Sequence, residues 1–396
     1  MKILSVVGAR PNFMKLAPVD RALAQRADVD HEIVHTGQHY DPEMSATFFE
    51  ELWLPAPDHH LGVGSGSHAA QTAAVMERLE PVLMASRPDI VLVYGDVNST
   101  LAAALVAAKL GVRVGHVEAG LRSRDWTMPE EINRVLTDRL SDLLLVPTRD
   151  AIDNLRAEGV PDDRMHFVGN VMIDSLCWAL ERARARDPAA RQGLGGTPYV
   201  VVTLHRPANV DDPGRLRELV DTLVCLSEAA PVLFPVHPRT RKNLHAMGLA
   251  AGPCANLRLV EPLGYLEMLG LVAGAALVIT DSGGLQEETT YLGVPCLTVR
   301  PNTERPVTCV HGTNRLVPPR RDVILAAARR ALDRRSPARP VIERWDGRAA
   351  ERIAAVVCEG ERFPVEEPDQ VKDAVGTTAD PLRGDATFEA IAGLVP

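Results

Sequence analysis

The sequence predicts an α/β fold of two doubly wound domains facing a central cleft, and three observations carry that reading. Short apolar runs alternate with helix-forming segments along most of the chain, a rhythm that requires parallel sheets covered on both faces. The stretch Ala-Arg-Asp-Pro-Ala-Ala-Arg-Gln-Gly-Leu-Gly-Gly-Thr-Pro at 185–198 reads as a loop and divides the alternation into two series. At 396 residues the chain also exceeds a typical single domain. We expect a first domain over 1–170, a helix and linker over 171–198 and a second domain over 199–343. A C-terminal helix at 344–365 that packs back on the first domain, and an acidic tail at 366–396 that is peripheral or disordered, complete the chain.

In the first series the strands fall near residues 2–8, 31–36, 89–95, 112–118, 143–148 and 165–169. Ligands on such sheets bind at the carboxyl ends of the strands, so the residues just after each run matter most. The first strand ends in Gly8-Ala9-Arg10-Pro11-Asn12-Phe13-Met14-Lys15, where Arg10 and Lys15 are able to converge on a phosphate; a basic turn and a solvated helix residue would read the same way. Thr36-Gly37-Gln38-His39-Tyr40-Asp41 groups four polar side chains after the second strand, although a satisfied loop histidine accounts for His39 more simply.

Ile90-Val91-Leu92-Val93-Tyr94 hands over to Gly95-Asp96, and His116-Val117 to Glu118. A carboxylate at the end of an apolar strand is partly desolvated, which raises its pKa toward the range useful for proton transfer. An N-cap aspartate is the competing reading of Asp96. Met128-Pro129-Glu130-Glu131 opens a helix, where acidic residues also serve the helix dipole.

The second series has strands at 199–205, 232–237, 257–260, 276–280 and 294–299, followed by helices at 320–335 and 344–360. Its strand ends carry His205-Arg206, His237-Pro238-Arg239 and, after the last strand, Arg300 through Arg305. The densest stretch is Thr280-Asp281-Ser282-Gly283-Gly284-Leu285-Gln286-Glu287-Glu288-Thr289. A strand ending in Ser-Gly-Gly before a helix exposes unpaired amides and favours an anion. A glutamate there clashes with a diphosphate unless it reaches a ribose, so the stretch points to a nucleotide diphosphate carrying a sugar. An ordinary capped helix is the plain alternative.

Composition limits the function classes. Net charge is −9, with hydrophobic content of 46% and charged content of 24%, which argues against nucleic acid or an anionic membrane surface as partner. No apolar run approaches the roughly 18–20 residues that span a bilayer, and the first residues lack a signal-peptide pattern, so a cytoplasmic location is expected. The six cysteines show no Cys-x-x-Cys pair or zinc spacing, and no metal site is expected. The tail from Glu366 to Pro396 holds seven acidic residues against Lys372 and Arg383.

Taken together, Gly8-Ala9-Arg10-Pro11 with Lys15, Tyr94-Gly95-Asp96, His116 through Arg122, Pro129 through Arg134, His205-Arg206, Thr280 through Glu288 and Thr303-Glu304-Arg305-Pro306 occur in one order over residues 1–360. This set resembles the non-hydrolysing UDP-N-acetylglucosamine 2-epimerase family. The resemblance implies a GT-B-like pair of Rossmann-like domains, usually a homodimer, and an isomerase with no redox cofactor or metal. The reaction would interconvert UDP-GlcNAc and UDP-ManNAc by eliminating UDP to 2-acetamidoglucal and adding it back. By resemblance Asp96, Glu118, Glu130 and His205 form the acid/base set. Arg10, Lys15, His205, Arg206, Ser282, Gly283, Gly284, Glu288 and Arg305 would bind the UDP-sugar, with Glu288 on ribose.

The sequence also departs from the family. Where bacterial members activated by their own substrate carry Gln-His-Arg, this chain reads Gln38-His39-Tyr40-Asp41, and Gly62 through Ser67 offer no arginine, so weak or absent substrate activation is expected. His205-Arg206-Pro207-Ala208 departs from the His-Arg-Arg-Glu of some members. The Gln-His-Tyr-Asp form also resembles relatives acting on modified sugars such as 2,3-diacetamido uronates. A hydrolysing epimerase and a GT-B UDP-sugar glycosyltransferase are the remaining alternatives.

Overall fold

The central strands of the two sheets are runs of four to six residues, apolar and buried on both faces, as strands covered by helices on both sides demand. The structure is a computed structural model that describes residues 1–38, 49–249, 254–333 and 339–363. His39, Tyr40 and Asp41 and the acidic tail at 366–396 lie outside the described residues. The first sheet comprises β1 (Lys2–Val7), β2 (Asp30–His35), β3 (His59–His60), β4 (Ile90–Tyr94), β5 (Arg113–Val117), β6 (Leu143–Val146) and β7 (Met165–Phe167). The second comprises β8 (Val200–Thr203), β9 (Val232–Pro235), β10 (Leu257–Val260), β11 (Leu277–Thr280), β12 (Cys296–Val299) and β13 (Asn314–Val317). All the pairings are parallel, in the orders β3-β2-β1-β4-β5-β6-β7 and β10-β9-β8-β11-β12-β13.

Both orders reverse direction in the same way, between β1 and β4 and between β8 and β11, and such a switch point opens a crevice at the carboxyl ends of the strands. Register then decides which residues meet there. Val6 pairs with Val93, bringing the turns that carry Arg10 and Asp96 side by side. Thr203 pairs with Thr280, bringing His205 beside Asp281.

Two strands were not expected from the sequence. β3 is a two-residue dihistidine edge, and β13 is an edge strand with one exposed and one half-buried residue, so neither displays an apolar run. The C-terminal helix is Ala349–Glu359 rather than a helix from 344, because Asp174 caps it by accepting from the amides of Ala350 at 2.8 Å and Ala349 at 3.2 Å. The described part of the preceding helix is Arg321–Asp333.

One hydrophobic core joins elements distant in sequence. Phe13 and Leu16 from the helix Arg10–Leu23, Leu176 and Ala179 from Val171–Ala185, Ile353 from Ala349–Glu359 and Leu269 from Tyr265–Gly274 are all buried in it. Each of the larger of these side chains contributes about 1.5–3 kcal/mol by leaving water. The second sheet has its own core around Val202, Phe234 and Ile279.

A short strap at residues 49–54 crosses this junction. The Glu51 carboxylate accepts from the Tyr265 amide at 2.7 Å and pairs with Arg186 at 3.0 Å, so it caps a helix that belongs to the second series. Beside it, Trp53 meets the edge of Trp178 at 5.3 Å between ring centres, with the Arg182 guanidinium 4.7 Å and 4.4 Å from the two rings. Among the described residues no helix is long and apolar enough to cross a membrane.

Candidate active site

The carboxyl ends of both sheets enclose a cleft of about 560 Å³, within the range of small-molecule and cofactor pockets. Arg10, Lys15, Asp96 and Glu130 line it from the first sheet, and His205, Arg206, Ser282, Gly283, Gly284, Glu288 and Arg305 from the second. Glu118 is different. It is 8% exposed and lies beneath the lining, held by Lys15 and by Arg305 Nη2 at 2.7 Å.

The local backbone explains that placement. Glu118 adopts φ +78°, which a residue with a Cβ reaches at a cost of order 1–3 kcal/mol. Its amide still follows β6, donating to the Leu145 carbonyl at 3.1 Å, while the side chain turns toward the cations. Gly95 beside it has φ +64°, and a Cβ there would lie 2.7 Å from Lys15 Nζ, so the lysine reaches Glu118 only past a glycine.

On the opposite wall the helix Gly283–Leu292 points its first turn at the cleft. Ser282 occupies the N-cap position, yet its side chain makes no capping bond, so the turn is not an ordinary capped helix start. A Cβ on Gly283 would lie 2.6 Å from Arg305 Nη1 and 2.7 Å from Glu304 Oε1, and glycine is therefore what admits that ion pair to the helix terminus.

Arg305 is the centre of the site's charge. It reaches Glu118, Glu287 at 3.0 Å and Glu304, while Glu304 also takes Arg300 at 2.8 Å. Burial works to raise the Glu304 pKa, but Arg305, Arg300 and Arg134 outweigh it and hold this carboxyl well below its ordinary range. Glu287 and Glu288 behave in the opposite way. Burial raises both, and with Glu287 as an anionic neighbour Glu288 is pushed up to about 8. Burial and the nearby Glu288 likewise hold the Tyr265 phenol well above its ordinary range.

Asp96 overturns an expectation. The apolar strand before it suggested a raised pKa, and burial does push that way, but the Arg134 ion pair and Lys15 hold it below the ordinary carboxylate value. Arg134 is itself fixed by Glu131 at 2.5 Å, and Asn133 donates to the Asp96 carbonyl at 2.9 Å. Glu118 was also expected among the groups facing a ligand; in this structure its two cation partners stand between it and the cleft.

His205 is anchored through Nδ1 to Asp281 Oδ1 at 2.8 Å, and its ring packs on His237 at 5.7 Å between centres. His237 itself is a helix cap, accepting from the Arg239 amide at 3.2 Å. Residues missed by sequence reasoning include Arg134, Glu287, Glu304 and Tyr265. Arg134 and Glu304 sit inside the quoted motifs without being singled out, Glu287 reads only as a carboxylate beside the phosphate turn without a role of its own, and Tyr265 carried no signal.

Comparison with known proteins identifies a family and a shared fold. The family described as UDP-N-acetylglucosamine 2-epimerase matches residues 21–358. A Pseudomonas aeruginosa protein named UDP-2,3-diacetamido-2,3-dideoxy-D-glucuronate 2-epimerase is 45% identical over 337 residues, covering 84% of this chain and 92% of its own. The Methanocaldococcus jannaschii UDP-N-acetylglucosamine 2-epimerase is 41% identical over 372 residues, 91% of this chain and all of its own. Its crystal structure in complex with UDP-GlcNAc and UDP superposes with a TM-score of 0.85 at 41% identity, covering 91% of this chain and 100% of that one. The Neisseria meningitidis enzyme bound to UDP-GlcNAc gives a TM-score of 0.82 at 29% identity, covering 91% and 100%.

Proposed function

The chain belongs to the UDP-N-acetylglucosamine 2-epimerase family, and on that premise we propose that it interconverts UDP-GlcNAc and UDP-ManNAc without hydrolysis. The observation that carries this reading is one cleft lined together by Arg10, the Ser282-Gly283-Gly284 helix start, Asp96, Glu130 and His205. The M. jannaschii structure with UDP-GlcNAc and UDP, at 41% identity, supports a UDP-sugar as the ligand.

The reaction removes the proton at sugar carbon 2 while the bond from carbon 1 to the diphosphate oxygen breaks. The electron pair becomes the double bond of 2-acetamidoglucal. UDP stays bound, a proton is delivered to the other face of carbon 2, and the diphosphate oxygen adds back to carbon 1. Cations and helix amides stabilise the departing diphosphate because they are already in place before charge develops. Asp96, Glu130 and His205 reach the sugar from the cleft. Glu118 joins them when the diphosphate draws Lys15 and Arg305 away from it, which ties the exposure of this carboxylate to a bound substrate. Glu288 accepts from the ribose hydroxyls.

Incubation with UDP-GlcNAc in deuterated water tests the proposal: deuterium enters carbon 2 and UDP-ManNAc forms. Free N-acetylmannosamine with UDP would instead identify a hydrolysing enzyme, and absence of both removes this substrate. The 45% identity to the P. aeruginosa enzyme supports a second reading, a 2,3-diacetamido uronate as the sugar, and assaying both nucleotide sugars separates the two. We further propose a cytoplasmic homodimer. The exposed Ile132 and Leu136, beside a groove that includes Met76, supply an apolar face for a second copy, which sedimentation would detect.

A further inference from the structure

We propose that Asp281, a residue outside the cleft lining, is a positioning residue that fixes His205 in the tautomer whose Nε2 faces the substrate as proton acceptor. The inference rests on the epimerase reading for His205, and it stands on geometry that the two adjacent strands set. β8 and β11 pair Thr203 with Thr280, and the Asp281 amide extends that ladder to the Thr203 carbonyl at 3.2 Å. The Asp281 side chain is fully buried directly under the His205 turn.

The donors around it are unevenly shared. Oδ1 receives His205 Nδ1 at 2.8 Å and the His205 amide at 3.1 Å. Oδ2 receives the His205 amide at 3.1 Å, the Arg206 amide at 3.0 Å and Asn209 Nδ2 at 3.0 Å. An ionised carboxylate only accepts, so the hydrogen lies on His205 Nδ1. Burial favours the neutral acid, but the His205 contact and the surrounding donors outweigh it and keep Asp281 below its ordinary pKa. In the neutral imidazole Nε2 then carries the lone pair, on a half-exposed ring that lines the cleft. The His237 ring, tilted 43° against it, limits rotation.

Asp281→Asn separates orientation from simple support. Its carbonyl oxygen belongs at the Oδ2 position, where three donors converge, which leaves the amide NH2 aimed at His205 Nδ1. The ring must then accept at Nδ1 and carry its hydrogen on Nε2, the wrong form for a proton acceptor. A residue that merely props up the turn would tolerate this near-isosteric change.

The test is ring nitrogen NMR on the full chain labelled with 15N-histidine, with His205→Gln assigning the signal, together with turnover and UDP calorimetry. We expect Nδ1–H in the wild type and Nε2–H in Asp281→Asn. Turnover of the variant should fall about 100-fold or more while the UDP dissociation constant stays within about 3-fold. A wild type with Nε2–H, or a variant that keeps the wild-type tautomer or its turnover, overturns the proposal. Should Asp281→Asn not fold, the wild-type spectrum decides. A wild type that epimerises none of the UDP-sugars refutes the functional reading, and the tautomer is still read from the same spectrum.

Discussion

Arg305 holds three carboxylates at once, so its loss is more than the loss of one charge. Arg305→Ala leaves Glu118, Glu287 and Glu304 buried with fewer partners, and stranding a buried ion partner typically costs about 3–5 kcal/mol. We expect a markedly lower denaturation midpoint as well as lost turnover; unchanged stability would show that these carboxylates are neutral in the wild type. Glu288 makes a prediction of opposite sign. Its pKa is raised from 4.5 to about 8 in the folded chain. A raised value means that its contribution is full below pH about 4.5 and is lost as pH rises through about 8. Glu288→Gln removes that loss, so without ligand the variant should gain stability relative to wild type between pH 5 and pH 8.5 in denaturant titrations. Parallel pH profiles would refute a buried, reluctant carboxylate, and the same variant should bind UDP more weakly because an amide oxygen accepts from the ribose hydroxyls less strongly than a carboxylate.

At the scale of the element, the turn into the helix Gly283–Leu292 depends on the missing Cβ of Gly283. Gly283→Ala pushes Arg305 and Glu304 away from the first turn, and we expect calorimetry to show UDP affinity reduced about 10-fold, roughly 1.4 kcal/mol. Wild-type affinity would show that the ion pair gives way at no cost. This element was legible in the sequence because Ser-Gly-Gly after a β-branched run has a local meaning. The same holds for β1, β4, β8 and β11, whose apolar runs announce themselves, and for the residues at their ends. The charge state of Asp96 was not legible, since it is set by Arg134 from a helix some forty positions away. β13 was missed because an edge strand with polar residues lacks an apolar run, and Tyr265 because its place in the cleft depends on how a helix is capped across the molecule. Local chemistry reads from sequence; partners assembled by packing do not.

Across the whole molecule the first sheet's core takes in the helix Tyr265–Gly274 of the second series, and the strap at residues 49–54 crosses the same junction. Glu51 joins the N-terminal series to the helix Tyr265–Gly274. Glu51→Ala leaves the Tyr265 amide and Arg186 without that partner, and losing a hydrogen bond to a charged group costs about 1.5–3 kcal/mol. We expect a lower denaturation midpoint and a higher KM for the UDP-sugar, with Glu51→Gln intermediate because its carbonyl still accepts from the amide. An unchanged midpoint and KM would make the strap an accessory to the fold.

The tryptophan pair beside Glu51 gives the strap an optical signature. Trp53 is 67% exposed and edge-on to Trp178, with a guanidinium shared between their rings. Lifting the strap separates two indoles and strips one of them of its cation, which alters emission intensity and near-ultraviolet circular dichroism at the same time. With only four tryptophans in the chain, Trp53→Phe identifies its share of the signal, and the attachment of the strap can be followed by light alone as UDP is added.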